Sequence, residues 1–288
     1  MSTINQSLIL NGGISMFQTI HEQVKVVSPL IHNITNYVTV NDCANILLAC
    51  GASPIMADDL KEVEEITTIC GGLNINIGTL NERTISSMIV AGKRANELGH
   101  PILLDPVGVG ASKLRTETAY RLMEEIQFSV IRGNISEIKT LAFGNGATKG
   151  VDANVSDIVT EETIGSAIEF AKQFAKTNNC VLAITGAIDI VADANQAYVF
   201  YNGDPMMAKL TGSGCMLSAM TTAYVTANPT QTLEAVATAV CVMGVAGEIA
   251  REHLASYEGN STYRHRLIDA IYHLDGKMLE SRAKYEVR

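Results

Sequence analysis

L-N-I-N-I-G (residues 73–78), P-I-L-L-D-P (101–106) and F-S-V-I-R (128–132) are three short, mostly apolar runs. Each leads into a segment with helical patterning, at 81–98, 112–126 and 135–143. Mostly apolar strands that alternate with helices are buried on both sides, which predicts a parallel sheet covered on both faces. Right-handed crossovers then bring the C-terminal ends of the strands to one edge, where such sheets bind ligands. The expected fold class is α/β, a three-layer α/β/α sandwich with a mainly parallel central sheet.

Outward toward the N-terminus, Ile14, Phe17, Ile20, Val24 and Val27 recur at helical spacing ahead of Pro29. Residues 30–35 read as a strand, 38–50 as a helix closed by Gly51, and 53–57 as a second extended piece. Asp58 is a candidate cap for a helix reaching Cys70, with Gly71 and Gly72 closing it. Residues 1–12 read as a polar, loose tail. Outward toward the C-terminus, a loop (144–160) and a helix (161–177) precede the strand run 180–186. D-I-V-A-D (189–193) and A-Y-V-F-Y (197–201) have the form of an antiparallel hairpin that extends the sheet. Helices finish the chain, among them 231–254 and 262–284. With no linker or repeat in view, residues 1–288 are expected to form one domain.

Composition narrows the function. Of 288 residues 47% are hydrophobic and 18% charged, so a large core is available. A net charge of −9 without a basic stripe argues against a nucleic-acid surface. The longest apolar run is too short for a membrane span, and the N-terminus lacks the pattern of a secretory signal. Six cysteines with no C-x-x-C pair suit a reducing cytoplasm better than a disulfide framework.

The chemistry centres on K-L-T-G-S-G-C-M-L-S-A-M (209–220). Gly212 and Gly214 permit a tight turn into an apolar helix, whose free amides and dipole favour an anion such as a phosphate. Cys215 falls in the first turn of that helix, where a thiol pKa is expected below its usual value of roughly 8.5. Asp105, Arg132 and Thr185 fall at strand ends, and Glu137 a few residues beyond Arg132. In a parallel sheet these converge on one edge. Two acids for Mg²⁺ held through water, an arginine for phosphates and a hydroxyl donor compose a Mg-nucleotide site. Each has a plainer alternative: Asp105 can start a turn, Glu137 can cap its helix with Asn134, Arg132 can form a surface ion pair, Thr185 can be a strand-end residue that bonds only backbone, and Cys215 can be a packed thiol.

H-N-I-T-N-Y-V-T-V-N-D-C-A-N (32–45), G-A-S-P-I-M-A (51–57), L-L-D-P-V-G-V-G-A (103–111), R-G-N-I-S-E-I (132–138) and T-G-S-G-C-M-L-S-A (211–219) together closely resemble the hydroxyethylthiazole kinases of thiamine salvage. The resemblance runs over roughly residues 14–285. It implies the ribokinase-like fold, ATP-dependent phosphorylation of the primary alcohol of 4-methyl-5-(2-hydroxyethyl)thiazole, and a homotrimer with active sites at subunit boundaries. By the same resemblance Met56 contacts the thiazole through its backbone, with Asn36 nearby from a neighbouring subunit, and Gly212 borders the substrate. Arg132 and Thr185 contact ATP, Asp105 and Glu137 serve Mg²⁺, and Cys215 takes the place where related sugar kinases carry an aspartate base. Competing readings are a hydroxymethylpyrimidine kinase, an ATP-dependent dehydratase of the same fold, or a non-catalytic metabolite sensor.

Overall fold

The computed structural model describes residues 9–10, 14–144 and 159–288. In chain order these form β1 (Ile9–Leu10), β2 (Ile14–Ser15), α1 (Met16–Val27), β3 (Leu30–Ile34), α2 (Val40–Cys50), β4 (Ser53–Met56), α3 (Val63–Ile69), β5 (Gly72–Asn76), α4 (Glu82–Leu98), β6 (Ile102–Asp105), α5 (Lys113–Glu125), β7 (Val130–Gly133) and α6 (Ile135–Phe143). Then follow α7 (Ile164–Asn178), β8 (Val181–Ile184), β9 (Asp189–Ala192), β10 (Ala197–Phe200), α8 (Ser213–Ala227), α9 (Thr232–Glu252), α10 (Asn260–His273), α11 (Gly276–Arg282) and β11 (Tyr285–Val287). Apart from β1 and β2, which pair with each other, the strands form one nine-stranded sheet in the order β11-β10-β9-β8-β7-β6-β5-β3-β4. From β4 to β8 every pairing is parallel, and from β8 to β11 every pairing is antiparallel.

Strand alternation sorts side chains onto two cores. Leu73, Ile75, Ile102, Leu104, Ile131 and Leu182 point to one, with buried residues of α4 to α7. Ile31, Leu103, Val130, Ala183 and Val191 point to the other, with α1, α2, α8, α9, α10 and α11. The layers are therefore helix, sheet and helix, as expected. On this second face the remaining alternate positions of β3, β5, β6 and β7 are polar: Asn33, Asn74, Asn76, Asp105 and Arg132. A polar row inside a core must be hydrogen-bonded to persist. The helix that lies over it is α8, buried nearly throughout.

Several boundaries differ from the sequence reading. Ile14 sits in β2, not in the opening helix, and Val27 ends α1 largely exposed. Asp58 does not cap α3: the chain first makes a turn in which Asp59 accepts from Lys61 and Glu62, and α3 begins only at Val63. Gly72 opens β5 instead of closing a helix. Residues 161–163 form a turn ahead of α7. The last helical stretch breaks after His273, where Asp275 caps α11 through the amide of Met278, and the chain ends in a strand that pairs with β10. Nearly all of the 1–12 tail and residues 145–158 of the 144–160 loop lie outside the described residues. The helix α9 is long and apolar enough to cross a membrane, but it is packed inside the protein.

Candidate active site

The first turn of α8 is the pivot. Gly212 precedes it with φ +90°, and a Cβ there would collide with the side chain of Thr39 at the start of α2. Gly214 lies flat beneath the Arg132 guanidinium, which occupies the space a side chain would need. The second glycine of the motif is thus explained by close approach of an arginine. No side chain caps α8, so its first amides are not taken by the protein's own cap.

Arg132 leaves β7 and is mostly buried. Its Nη2 donates to Thr185 Oγ1 at 2.7 Å and its Nη1 lies 3.5 Å from Asp105 Oδ1. Its Nε is buried and, among the described residues, has no hydrogen-bond partner, a donor that an anion can use. Beside it opens a cavity of about 680 Å³. Arg132, Thr185, Asp189, Ser213 and Gly214 line one side; Met207, Leu217, Val240 and Met243 supply an apolar wall. A charged, glycine-floored end joined to an apolar pocket is the form of a nucleotide cleft.

On the other side of the same helix start lies a closed network. Cys215 is 9% exposed, and its Sγ receives N–H groups from Asn36 Nδ2 and Asn76 Nδ2, each at 3.3 Å. Asn36 Nδ2 also donates to Asn76 Oδ1 at 2.9 Å, and Asn36 Oδ1 accepts from the Thr39 hydroxyl at 3.0 Å. Asn76 Nδ2 reaches Asp105 Oδ2 at 2.8 Å, and Ser218 donates to the same oxygen at 2.9 Å. The sulfur therefore acts as an acceptor of two amide hydrogens, an arrangement that favours a thiolate or fixes a lone pair.

Charge acts against the thiolate. Burial, and then the nearby Asp105 carboxylate, push the Cys215 thiol above its ordinary value, and the hydrogen bonds only partly offset this. This overturns the expectation of a depressed pKa. The helix start does hold Cys215, but desolvation beside a carboxylate outweighs the dipole. Burial likewise raises the Asp105 carboxyl, with Arg132 opposing and Glu137 reinforcing the shift.

Glu137 is shared between two tasks. Its Oε2 accepts from Asn134 N at 2.9 Å while Asn134 Oδ1 accepts from Glu137 N at 2.8 Å, so the capping alternative is realised. Its Oε1 accepts from Gly108 N at 2.8 Å, which draws the loop after β6 toward it. Among the described residues no three acidic, histidine or cysteine groups gather as a direct metal cluster. Two carboxylates already engaged in hydrogen bonds fit a hard cation reached through water, which is the usual habit of Mg²⁺.

Asp105, Arg132, Thr185, Glu137, Gly212, Asn36 and Cys215 are therefore brought to one sheet edge. Within the chain, the turn between β3 and α2 places Asn36 against Cys215. Met56 ends β4, separated from β6 by β3 and β5, and packs half-buried against the same core as Cys215. His32 holds that strand end: its Nε2 donates to Ala57 O at 2.9 Å and its Nδ1 meets Thr67 Oγ1 at 2.9 Å. Sequence reasoning missed Asn76, Thr39 and Ser218. The available signal for Asn76 was an asparagine at the end of an otherwise buried strand, which demands a partner.

Comparison with known proteins bears on what this edge does. The model of the hydroxyethylthiazole kinase family matches residues 21–277. A hydroxyethylthiazole kinase of Clostridium acetobutylicum is 64% identical over 265 residues, which is 92% of this chain and 97% of that one. The solved structure of the hydroxyethylthiazole kinase protein from Pyrococcus horikoshii superposes with a TM-score of 0.83 at 35% identity, covering 94% of this chain and 98% of that chain. A ribokinase-like superfamily protein of Enterococcus faecalis, 11% identical, has a TM-score of 0.57 over 93% of this chain and 91% of its own. That likeness identifies the fold as ribokinase-like.

Proposed function

The chain belongs to the hydroxyethylthiazole kinase family and phosphorylates the alcohol of hydroxyethylthiazole, and from that premise we propose that ATP is the donor and that the edge around α8 is where transfer occurs. The observation that carries this is Arg132. It lies over Gly214 at the uncapped start of α8, with an unpartnered Nε, at the mouth of the 680 Å³ cavity.

In this reading Arg132, Thr185 and the first amides of α8 grip the phosphates, and the wall of Met207, Val240 and Met243 receives the base. Asp105 and Glu137 would hold Mg²⁺, which would supply neutralisation of the phosphate charge. The acceptor alcohol lies on the Cys215 side, against Asn36 and Gly212, with the thiazole ring toward the backbone of Met56. Phosphoryl transfer has a loose transition state, so the attacking oxygen needs alignment more than early deprotonation. Cys215, a thiol whose lone pair is fixed by two carboxamides, serves chiefly to align that oxygen. The alcohol proton leaves late, when bonding to phosphorus has made it acidic, and passes to an oxygen of the transferred phosphoryl group, from which it exchanges with solvent.

Residues 1–288 act as one catalytic domain in this reading, supported by the continuous nine-stranded sheet. A homotrimer with sites at its boundaries is supported by the free edge of β4 and the exposed Tyr37, Val38, Leu48 and Leu60 near it. A cytoplasmic setting is supported by six free, buried cysteines. The test is phosphate transfer from Mg-ATP to a panel of hydroxyalkyl heterocycles, with sedimentation on the same sample. The thiazole alcohol is expected to turn over fastest and the species to sediment as a trimer. Preference for hydroxymethylpyrimidine, or nucleotide binding with no turnover, would overturn the reading.

A further inference from the structure

We propose that Arg115, on α5, is a positioning residue that holds together the two loops that follow Asn76 and Asp105. It donates from Nη1 to Val107 O at 2.7 Å and from Nη2 to Gly78 O at 2.6 Å. These carbonyls belong to different loops, the one after β6 and the one after β5. Among the described residues Arg115 has no ion-pair partner, so its charge is spent on the two carbonyls, and charge-assisted bonds of this kind are roughly twice as strong as neutral ones. The guanidinium fills the place of a side chain at Gly108, whose φ is +70° and whose Cβ would stand 2.6 Å from Nη1.

From each carbonyl the linkage runs one step to the reacting edge. Gly78 N donates to Asn76 Oδ1 at 2.9 Å, and Asn76 in turn bonds both Asp105 and Cys215. Ile77 N donates to Asp105 O at 3.2 Å. On the other loop, Gly108 N is held by Glu137. One planar fork thus fixes the spacing of the loop that follows Asn76, one of the sulfur's two amide donors, and the loop that follows Asp105 and is held by Glu137. Lysine, with a single ammonium on a flexible stem, cannot span two carbonyls in the same fixed geometry. Arg115 touches none of the reacting groups itself and acts only through backbone.

The proposal rests on the site reading above, and the experiment separates the two. Arg115→Ala, Arg115→Lys and Arg132→Ala are assayed side by side for kcat, for KM toward ATP and the thiazole alcohol, and for Tm. Arg115→Ala is expected to lower kcat by up to about 10²-fold, the effect of a roughly 1 Å misplacement, with both KM values within about 3-fold. Added guanidinium chloride should restore part of the loss where equal sodium chloride does not, and Arg115→Lys should fall between. A lower Tm with unchanged kcat, or a folded Arg115→Ala that guanidinium leaves inactive, overturns the proposal while Arg132→Ala still loses activity. Should Arg115→Ala fail to fold, wild-type kcat in Arg115→Lys overturns it. An active Arg132→Ala overturns the site reading instead.

Discussion

The two sides of the α8 start are built in opposite ways. On the cleft side stand one arginine with an unpartnered nitrogen, a hydroxyl, a glycine floor and an open cavity of about 680 Å³. On the thiol side Asn36, Asn76, Asp105, Ser218 and Cys215 are all buried and saturate one another. An open side with spare donors suits a ligand that brings its own charge and leaves as a product. A closed side with fixed lone pairs suits a small neutral alcohol that must be aligned. The difference predicts that changes on the thiol side act on kcat, and changes on the cleft side on the apparent affinity for ATP.

The largest effect expected is at the sulfur. Cys215→Ala should lower kcat within the range typical of lost acid-base or alignment help, about 10² to 10⁴-fold, while KM for ATP stays nearly constant. Cys215→Asp should remain active, since the same two carboxamides can donate to a carboxylate. A well-folded but dead Cys215→Asp would break the account of the thiol side. Next is Arg132→Ala, expected to cost about 10² to 10³-fold in kcat/KM for ATP, as for loss of one electrostatic donor. The KM for the thiazole alcohol should move little, and equal damage to both substrates would mean that the sides are not separate.

Smaller effects sharpen the contrast in stability. Gly212→Ala forces a left-handed backbone and a collision with Thr39, and should cost about 1–3 kcal/mol in denaturant unfolding. Cleft-side Asp189 has its carboxyl pushed up to about 7 by burial, from 3.8. The folded state therefore holds that proton more tightly than the unfolded state, so this contribution is complete below 3.8 and is lost as pH climbs to about 7. Asp189→Asn should shrink the fall in Tm between pH 5 and pH 8; an unchanged fall would place the titration elsewhere.

The cleft side was largely legible in the sequence. Arg132 and Thr185 sit at strand ends, which a parallel sheet gathers on one edge. The thiol side was less so. Asparagine serves turns, caps and cores alike, and nothing in N-I-N-I-G tells that Asn76 faces Cys215, 139 residues away along the chain. Sign was lost for the same reason: a helix start suggests an acidic thiol, but the neighbouring Asp105 and the depth of burial appear only when the chain is folded. Glu137 shows that two readings can coexist, since one carboxylate completes a capping box and anchors Gly108. The break after His273 escaped because helical patterning continues across it, whereas Asp275 caps a separate helix.

The pairing changes sense between β8 and β9, where the chain turns straight back through Gly186 to Asp189 instead of crossing over. A parallel successor would have required a crossover of about a dozen residues or more there. In the proposed reading the donor lies beside this reversal, whose Thr185, Gly186, Ala187 and Asp189 line the cavity. In that reading, lengthening or trimming the four-residue reversal offers a way to change which nucleotide is admitted while leaving the Cys215 side untouched.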